Sequence, residues 1–137
     1  MISRITKRMQ VGGEGGFTLI ELLVVIIIIG ILAAIAIPMY LAQRTKGYNA
    51  TAESDLRNAA VAQESYFTDN AVYAVTLATL ESDAAGYRHS ATITLDPTGG
   101  STDAYCMSAV DSRGGDTWYM SSDNSAPTKV ACPVVAI

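Results

Sequence analysis

The stretch Phe17-Thr18-Leu19-Ile20-Glu21-Leu22-Leu23-Val24-Val25-Ile26-Ile27-Ile28-Ile29-Gly30-Ile31-Leu32-Ala33-Ala34-Ile35-Ala36-Ile37-Pro38 decides the fold. Leu22 to Ile37 is an uncharged run of 16 residues interrupted only by Gly30. Counted from Phe17 the segment has 21 residues, which as a helix is about 31 Å long, the thickness of a bilayer's hydrocarbon core. From Phe17 to Ala42, 22 of 26 residues are apolar, against 41 of 95 from Gln43 onward. The overall hydrophobic content of 50% in 137 residues is therefore the average of an anchor and one ordinary soluble domain. Arg4, Lys7 and Arg8 precede the run against one acid, Glu14, and only Arg44 and Lys46 follow closely. The positive-inside bias then puts the N-terminus in the cytoplasm and the rest of the chain outside.

A secretory signal peptide offers the bland reading, since a basic start, an apolar stretch and Ala34-Ile35-Ala36 fit that template. Three details resist it. The apolar run is slightly long, the polar Gly12-Gly13-Glu14-Gly15-Gly16 separates it from the basic residues, and Glu21 lies inside the apolar stretch. A carboxylate in a membrane span is costly and marks a functional site with a partner to be named. No Lys or Arg within the span can be that partner. A cut between Gly16 and Phe17 would supply one, because the new α-amine at Phe17 lies one helical turn from Glu21 on the same face.

Gly16-Phe17-Thr18-Leu19-Ile20-Glu21-Leu22-Leu23-Val24-Val25 resembles the class III signal of type IV pilins and of the related pseudopilins of type II secretion. The resemblance covers the leader and about fifty residues after it. It implies cleavage after Gly16 by a membrane-embedded prepilin peptidase and N-methylation of Phe17. It also implies a role for Glu21 in methylation and subunit docking. The expected division is a cleaved leader at 1–16, a transmembrane and filament-core helix at 17–42, and an amphipathic helix half plus sheet domain at 43–137. The implied product is a homopolymer, a type IV pilus drawn from the inner membrane by an assembly ATPase and platform machinery and serving adhesion, motility or DNA uptake. The alternative within the resemblance is a pseudopilin of a type II secretion system. Gly30 and Pro38 are helix breakers, and the resemblance implies unwinding between them in the filament.

After Pro38, Tyr48, Ala52, Leu56, Ala59, Gln63 and Tyr66 or Phe67 recur at helical spacing, with Glu53, Asp55 and Arg57 off that face. A helix from Phe17 to about Thr68 would be roughly 78 Å long, too long for a compact domain, so its apolar half must bury itself in lipid or against other copies. Beyond Asp69, loop chemistry gives way to β-rich segments at Ala91–Leu95, Tyr105–Val110 and Thr117–Met120, with turn signals at Asp96-Pro97-Thr98-Gly99-Gly100 and Ser112-Arg113-Gly114-Gly115-Asp116. The expected fold is α+β: a long helix packed by its second half on a small antiparallel sheet of three or four strands. Trp118, Tyr105 and Leu95 are expected to meet Leu56, Ala59 and Tyr66. Cys106 and Cys132 are the only cysteines, and an even pair in an outward-facing domain is most simply one disulfide, a device that pilins also use to tie down the tail.

No constellation points to an enzyme, a metal or a cofactor. His89 is the single histidine and has no triad or ligand partners in sequence. Asp123 and Asn124 lack the dense acidic pattern of a calcium loop. Asn49-Ala50-Thr51 matches a glycosylation sequon but falls in the predicted helix. Without the leader's Arg4, Lys7, Arg8 and Glu14, 6 basic residues face 12 acidic ones, a balance that disfavours direct nucleic-acid binding. A third class, a secreted soluble domain with an ordinary signal peptide, leaves Glu21 and the Gly16-Phe17 junction without a purpose.

Overall fold

A computed structural model describes residues 15–83, 86–97, 101 and 103–132. Two helices and four strands follow in the order α1 (Leu19–Asn70), α2 (Leu77–Asp83), β1 (Ile93–Asp96), β2 (Cys106–Asp111), β3 (Trp118–Ser121) and β4 (Asn124–Thr128). The strands form one antiparallel sheet in the order β1-β2-β3-β4. The architecture is the expected α+β one, a long helix whose second half packs on a small antiparallel sheet. The chain separates into two compact units, Met1–Pro38 and Met39–Ile137, taken in turn. Most of the leader, 1–14, and the turn residues Thr98–Gly100 lie outside the described residues.

In the first unit, Gly15 to Thr18 are non-helical and helix begins at Leu19. Fifteen large apolar side chains between Phe17 and Ile37 are exposed, from Phe17 at 92% to Leu23 at 46%. A helix apolar on every side belongs in lipid or inside a larger assembly. Pro38 and Gly30 are both within α1, which remains helical across them.

In the second unit, α1 buries Ala52, Leu56, Ala59, Ala60, Ala62 and Gln63. The small alanines let the sheet approach closely, and Leu56 fills the centre with no exposed surface. The facing side chains are Ile93 and Leu95 of β1, Met107 and Ala109 of β2, and Met120 of β3, joined by Tyr105. Strand β2 alternates strictly, with Met107, Ala109 and Asp111 buried, the period-2 pattern of a half-buried strand. Leu95 and Tyr105 take the core places expected of them, while Trp118 and Tyr66 pack only partly buried at its edge.

Gln63 sits in the apolar core because its amide is fully used. Its Nε2 donates to the Ala74 carbonyl at 2.8 Å and its Oε1 accepts from the Ala74 N–H at 2.9 Å. Both buried polar groups are thereby satisfied. Asp55 corrects the sequence expectation. Placed off the core face by periodicity, it is 6% exposed and accepts from the Ser90 N–H at 2.7 Å and the Ser90 hydroxyl at 3.2 Å. A loop distant in sequence covers that side of the helix.

The predicted strands shift by one or two residues at their ends. Helix α2 and strand β4 appear where only loop and tail were expected. β4 was invisible because it is a polar edge strand carrying Pro127, a residue that an edge tolerates since one side of the strand needs no N–H donor. Its pairing with β3 shifts register between Tyr119 and Ser121. Cys106 and Cys132 are disulfide-bonded with Cα atoms 6.1 Å apart, tying the segment after β4 back to β2.

Helix α1 ends on Ala71, whose φ of 58° is left-handed and whose N–H closes on the Phe67 carbonyl at 2.8 Å. This is the position where helices favour glycine. Replacing Ala71 by Gly relieves the Cβ strain but adds unfolded-state freedom, leaving a net stabilisation of roughly 0.5–1 kcal/mol. Chemical denaturation of the two proteins side by side checks it; a destabilised variant overturns this view of the cap.

Candidate assembly site

Thr18 and Glu21 form a reciprocal cap at the start of α1. The Glu21 carboxylate accepts from the Thr18 N–H at 2.9 Å and from the Thr18 hydroxyl at 2.6 Å. The Thr18 hydroxyl oxygen in turn accepts from the Glu21 N–H at 3.3 Å. Threonine at the N-cap with glutamate three residues on is a capping box, which satisfies two helix-start donors that would otherwise lack partners. Sequence reasoning paired Glu21 only with a future amine at Phe17 and passed over this local partner. The signal was present as Thr18-x-x-Glu21 before an apolar run. In the uncut chain the nitrogen of Phe17 is a peptide N–H, so the carboxylate rests on Thr18. Phe17 itself is 92% exposed, and Gly16 has nothing near its Cα that a side chain would meet. The Gly16–Phe17 bond therefore lies in open, non-helical backbone directly before the cap.

In the second unit, the β2–β3 loop is clasped onto α1. Asn49 donates through Nδ2 to the Asp116 carboxylate at 2.9 Å and accepts through Oδ1 from the Asp116 N–H at 2.9 Å. Lys129 closes on the same carboxylate at 2.5 Å. Gly115 makes the approach possible, since its φ is +130° and a Cβ there would stand 2.6 Å from Asn49 Oδ1. The sequon asparagine thus has both ends of its amide committed inside the fold. Beside it, the Arg113 guanidinium lies 4.6 Å from the centre of the Tyr48 ring.

Arg113 also holds the buried Asp111. Its Nε and Nη2 donate to the two carboxylate oxygens at 2.9 and 2.5 Å, and its backbone N–H adds a third bond at 2.9 Å. The hydrogen bonds from Arg113 bring the Asp111 carboxyl down to about 2 despite burial. A carboxylate depressed in the folded state contributes stability above its unfolded pKa of about 4 and loses it as pH falls through about 2. Melting temperatures of the native protein and Asp111→Asn should therefore differ at neutral pH and converge between about pH 4 and pH 2. A gap constant across that window contradicts the assignment.

His89 pairs through Nδ1 with Glu81 at 2.9 Å, a contact between the α2 region and the following loop. Asp123 lies in the β3–β4 turn and Asn124 opens β4, where its Oδ1 accepts from the Ala126 N–H at 3.3 Å. Among the described residues no group of three or more His, Cys, Asp or Glu side chains could hold a metal ion.

Residues 13–37 match the model of the prokaryotic N-terminal methylation motif, the segment that contains the open Gly16–Phe17 junction and the cap. The type IV wide pilus major component PilA4 of Thermus thermophilus is 38% identical over 122 residues, covering 88% of this chain and 91% of that protein. The chain belongs to the type IV pilin family. Two further relatives of this pilin-family chain match chiefly through shorter stretches. The type IV major pilin protein PilA of Myxococcus xanthus is 45% identical over 42% of this chain and 26% of its own length. The type II secretion system core protein G of Pseudomonas aeruginosa is 38% identical over 53% of this chain and 51% of its own length.

Proposed function

We propose that this chain is a structural, non-enzymatic subunit of a type IV pilus. The observation that carries the reading is the apolar helix, exposed on all sides and opened by the Thr18–Glu21 cap, in a chain that aligns with nearly the whole of a pilus major component. Residues 1–16 form a leader removed by a prepilin peptidase. Residues 17–42 cross the inner membrane with the N-terminus inside and later form the filament core, and residues 43–137 form the outward domain. Transfer of one apolar helix from lipid to a bundle of its copies leaves no apolar surface in water at either stage. Gly30 and Pro38, helical in the single chain, are the positions at which the helix unwinds once packed in the filament. An assembly ATPase and platform protein drive the transfer.

Intact mass of the mature protein tests the processing: a chain beginning at N-methylated Phe17 is expected, and cleavage after Ala36 or an uncut chain refutes it. The second reading, a type II pseudopilin, draws support from the core protein G relatives, which align with about half of this chain. Electron microscopy of sheared surface fractions separates the two. Long filaments containing this protein support the pilus, and their absence together with blocked secretion in a deletion strain supports the pseudopilus.

A further inference from the structure

Tyr40, Arg44 and Tyr48 stand four residues apart on α1 and so share one face. The Arg44 guanidinium lies 6.0 Å from the Tyr40 ring centre and 5.6 Å from that of Tyr48, and its Nε and Nη2 donate to the Tyr48 hydroxyl at 3.0 and 2.6 Å. Two aromatic rings therefore hold the guanidinium in place, while Nη1 makes no hydrogen bond among the described residues. Its neighbour Arg113, which also lies against the Tyr48 ring, is neutralised by Asp111. Arg44 touches the Tyr40 and Tyr48 rings, makes no ion pair among the described residues and keeps an exposed positive charge. Lys46, also exposed, adds a second charge on the opposite side of the helix. Both stand out in a mature chain whose acids outnumber its bases 12 to 6.

Tyr40 and Arg44 come three and seven residues after Ile37, about 5 and 10 Å at helical rise. Those depths place Tyr40 within the headgroup layer, which extends about 5–7.5 Å beyond a roughly 30 Å hydrocarbon core, and the Arg44 backbone about 3 Å past it, a distance that an arginine side chain spans. Tyrosine is enriched at that level because its ring prefers the interface and its hydroxyl prefers water. A planar, always-charged guanidinium with a free edge suits a phosphate diester.

We propose that Arg44, steadied by Tyr40 and Tyr48 and assisted by Lys46, binds anionic phospholipid headgroups of the outward leaflet and holds the unassembled subunit at a defined depth. This rests on the membrane-spanning reading above. The contact is surrendered when the helix leaves lipid, so the two cations oppose premature extraction at the one end of the span where lysine and arginine remain after leader removal.

The test uses the full chain in two steps. It is first reconstituted into vesicles of phosphatidylcholine with phosphatidylglycerol, washed with alkaline carbonate and floated on a density gradient. Native mass spectrometry from mixed micelles then counts the lipid retained. The native protein is expected to retain phosphatidylglycerol in preference to phosphatidylcholine. Arg44→Gln should reduce that preference about fivefold and Arg44→Gln with Lys46→Gln by more than tenfold, as one and two interfacial cations predict. Failure to float overturns the spanning reading and this proposal with it. Flotation with equal retention of the two lipids, or with retention unchanged in Arg44→Gln, overturns this proposal alone. Displacement of the lipid by millimolar inorganic phosphate overturns it in favour of a free-phosphate site. Lost filament yield in Arg44→Gln with unchanged lipid preference overturns it in favour of a contact between copies.

Discussion

Replacing Glu21 by alanine lowers filament yield tenfold or more and leaves membrane insertion unchanged. Two contributions act together. The capping box supplies about 1–2 kcal/mol at the helix start, and 1.4 kcal/mol is already a factor of ten in an equilibrium. Once Phe17 carries a free amine, Glu21 is also the one acidic residue in the span able to neutralise it. Glu21→Gln separates the two, because glutamine completes a capping box as glutamate does but brings no charge. Assembly by way of the charged amine predicts that Glu21→Gln fails as Glu21→Ala fails. Filament mass recovered by shearing, set against subunit in the membrane fraction, is the measurement. Native yield in Glu21→Gln assigns the residue to capping alone, and native yield in both variants removes it from assembly.

Changing Cys106 and Cys132 together to serine destabilises the outward domain by about 3.5 kcal/mol, the chain-entropy value for a loop of this length. The bond spans 26 residues, and the loop encloses β3 and β4, the strands with the fewest core side chains. Among the described residues Met120 and Pro127 are the buried apolar side chains that β3 and β4 contribute, so burial alone holds that end of the sheet weakly. Urea titration of the detergent-solubilised protein, followed by fluorescence of the single tryptophan Trp118, reports on this region directly. A loss below about 1 kcal/mol would mean that the unfolded chain is restrained by something other than the disulfide.

What could be read from residues alone follows the range of the physics involved. The apolar segment from Phe17 to Ile37 needs no tertiary context, because its length and apolarity suit a bilayer whatever follows. The i, i+3, i+4 spacing of Ala52, Leu56, Ala59 and Gln63, and the alternation of β2, are likewise local periodicities. Asp55 escaped because periodicity ranks a charged side chain as solvent-facing. Only the arrival of Ser90, 35 residues away, supplies the donors that let it be buried. β4 escaped for the complementary reason: Asn124 to Thr128 has little strand propensity, and β3 recruits it through backbone pairing with the disulfide closing the chain behind it. Asn49 matched a sequon in sequence, and the fold turned its amide to a different use, since Gly115 brings the β2–β3 loop within hydrogen-bonding reach of α1.

The sequence by itself determined that a long apolar helix begins just after Gly16-Phe17, that Glu21 lies within it, and that an acidic α+β domain follows. Each is set by hydration free energy and by contacts within one or two helical turns. Tertiary structure alone decided which polar residues are buried, which loop rests on the helix, and that Arg113 is neutralised by Asp111 while Arg44 keeps its charge. Those outcomes depend on which donors and acceptors meet across tens of residues, and a buried charge survives only where the fold delivers its partner.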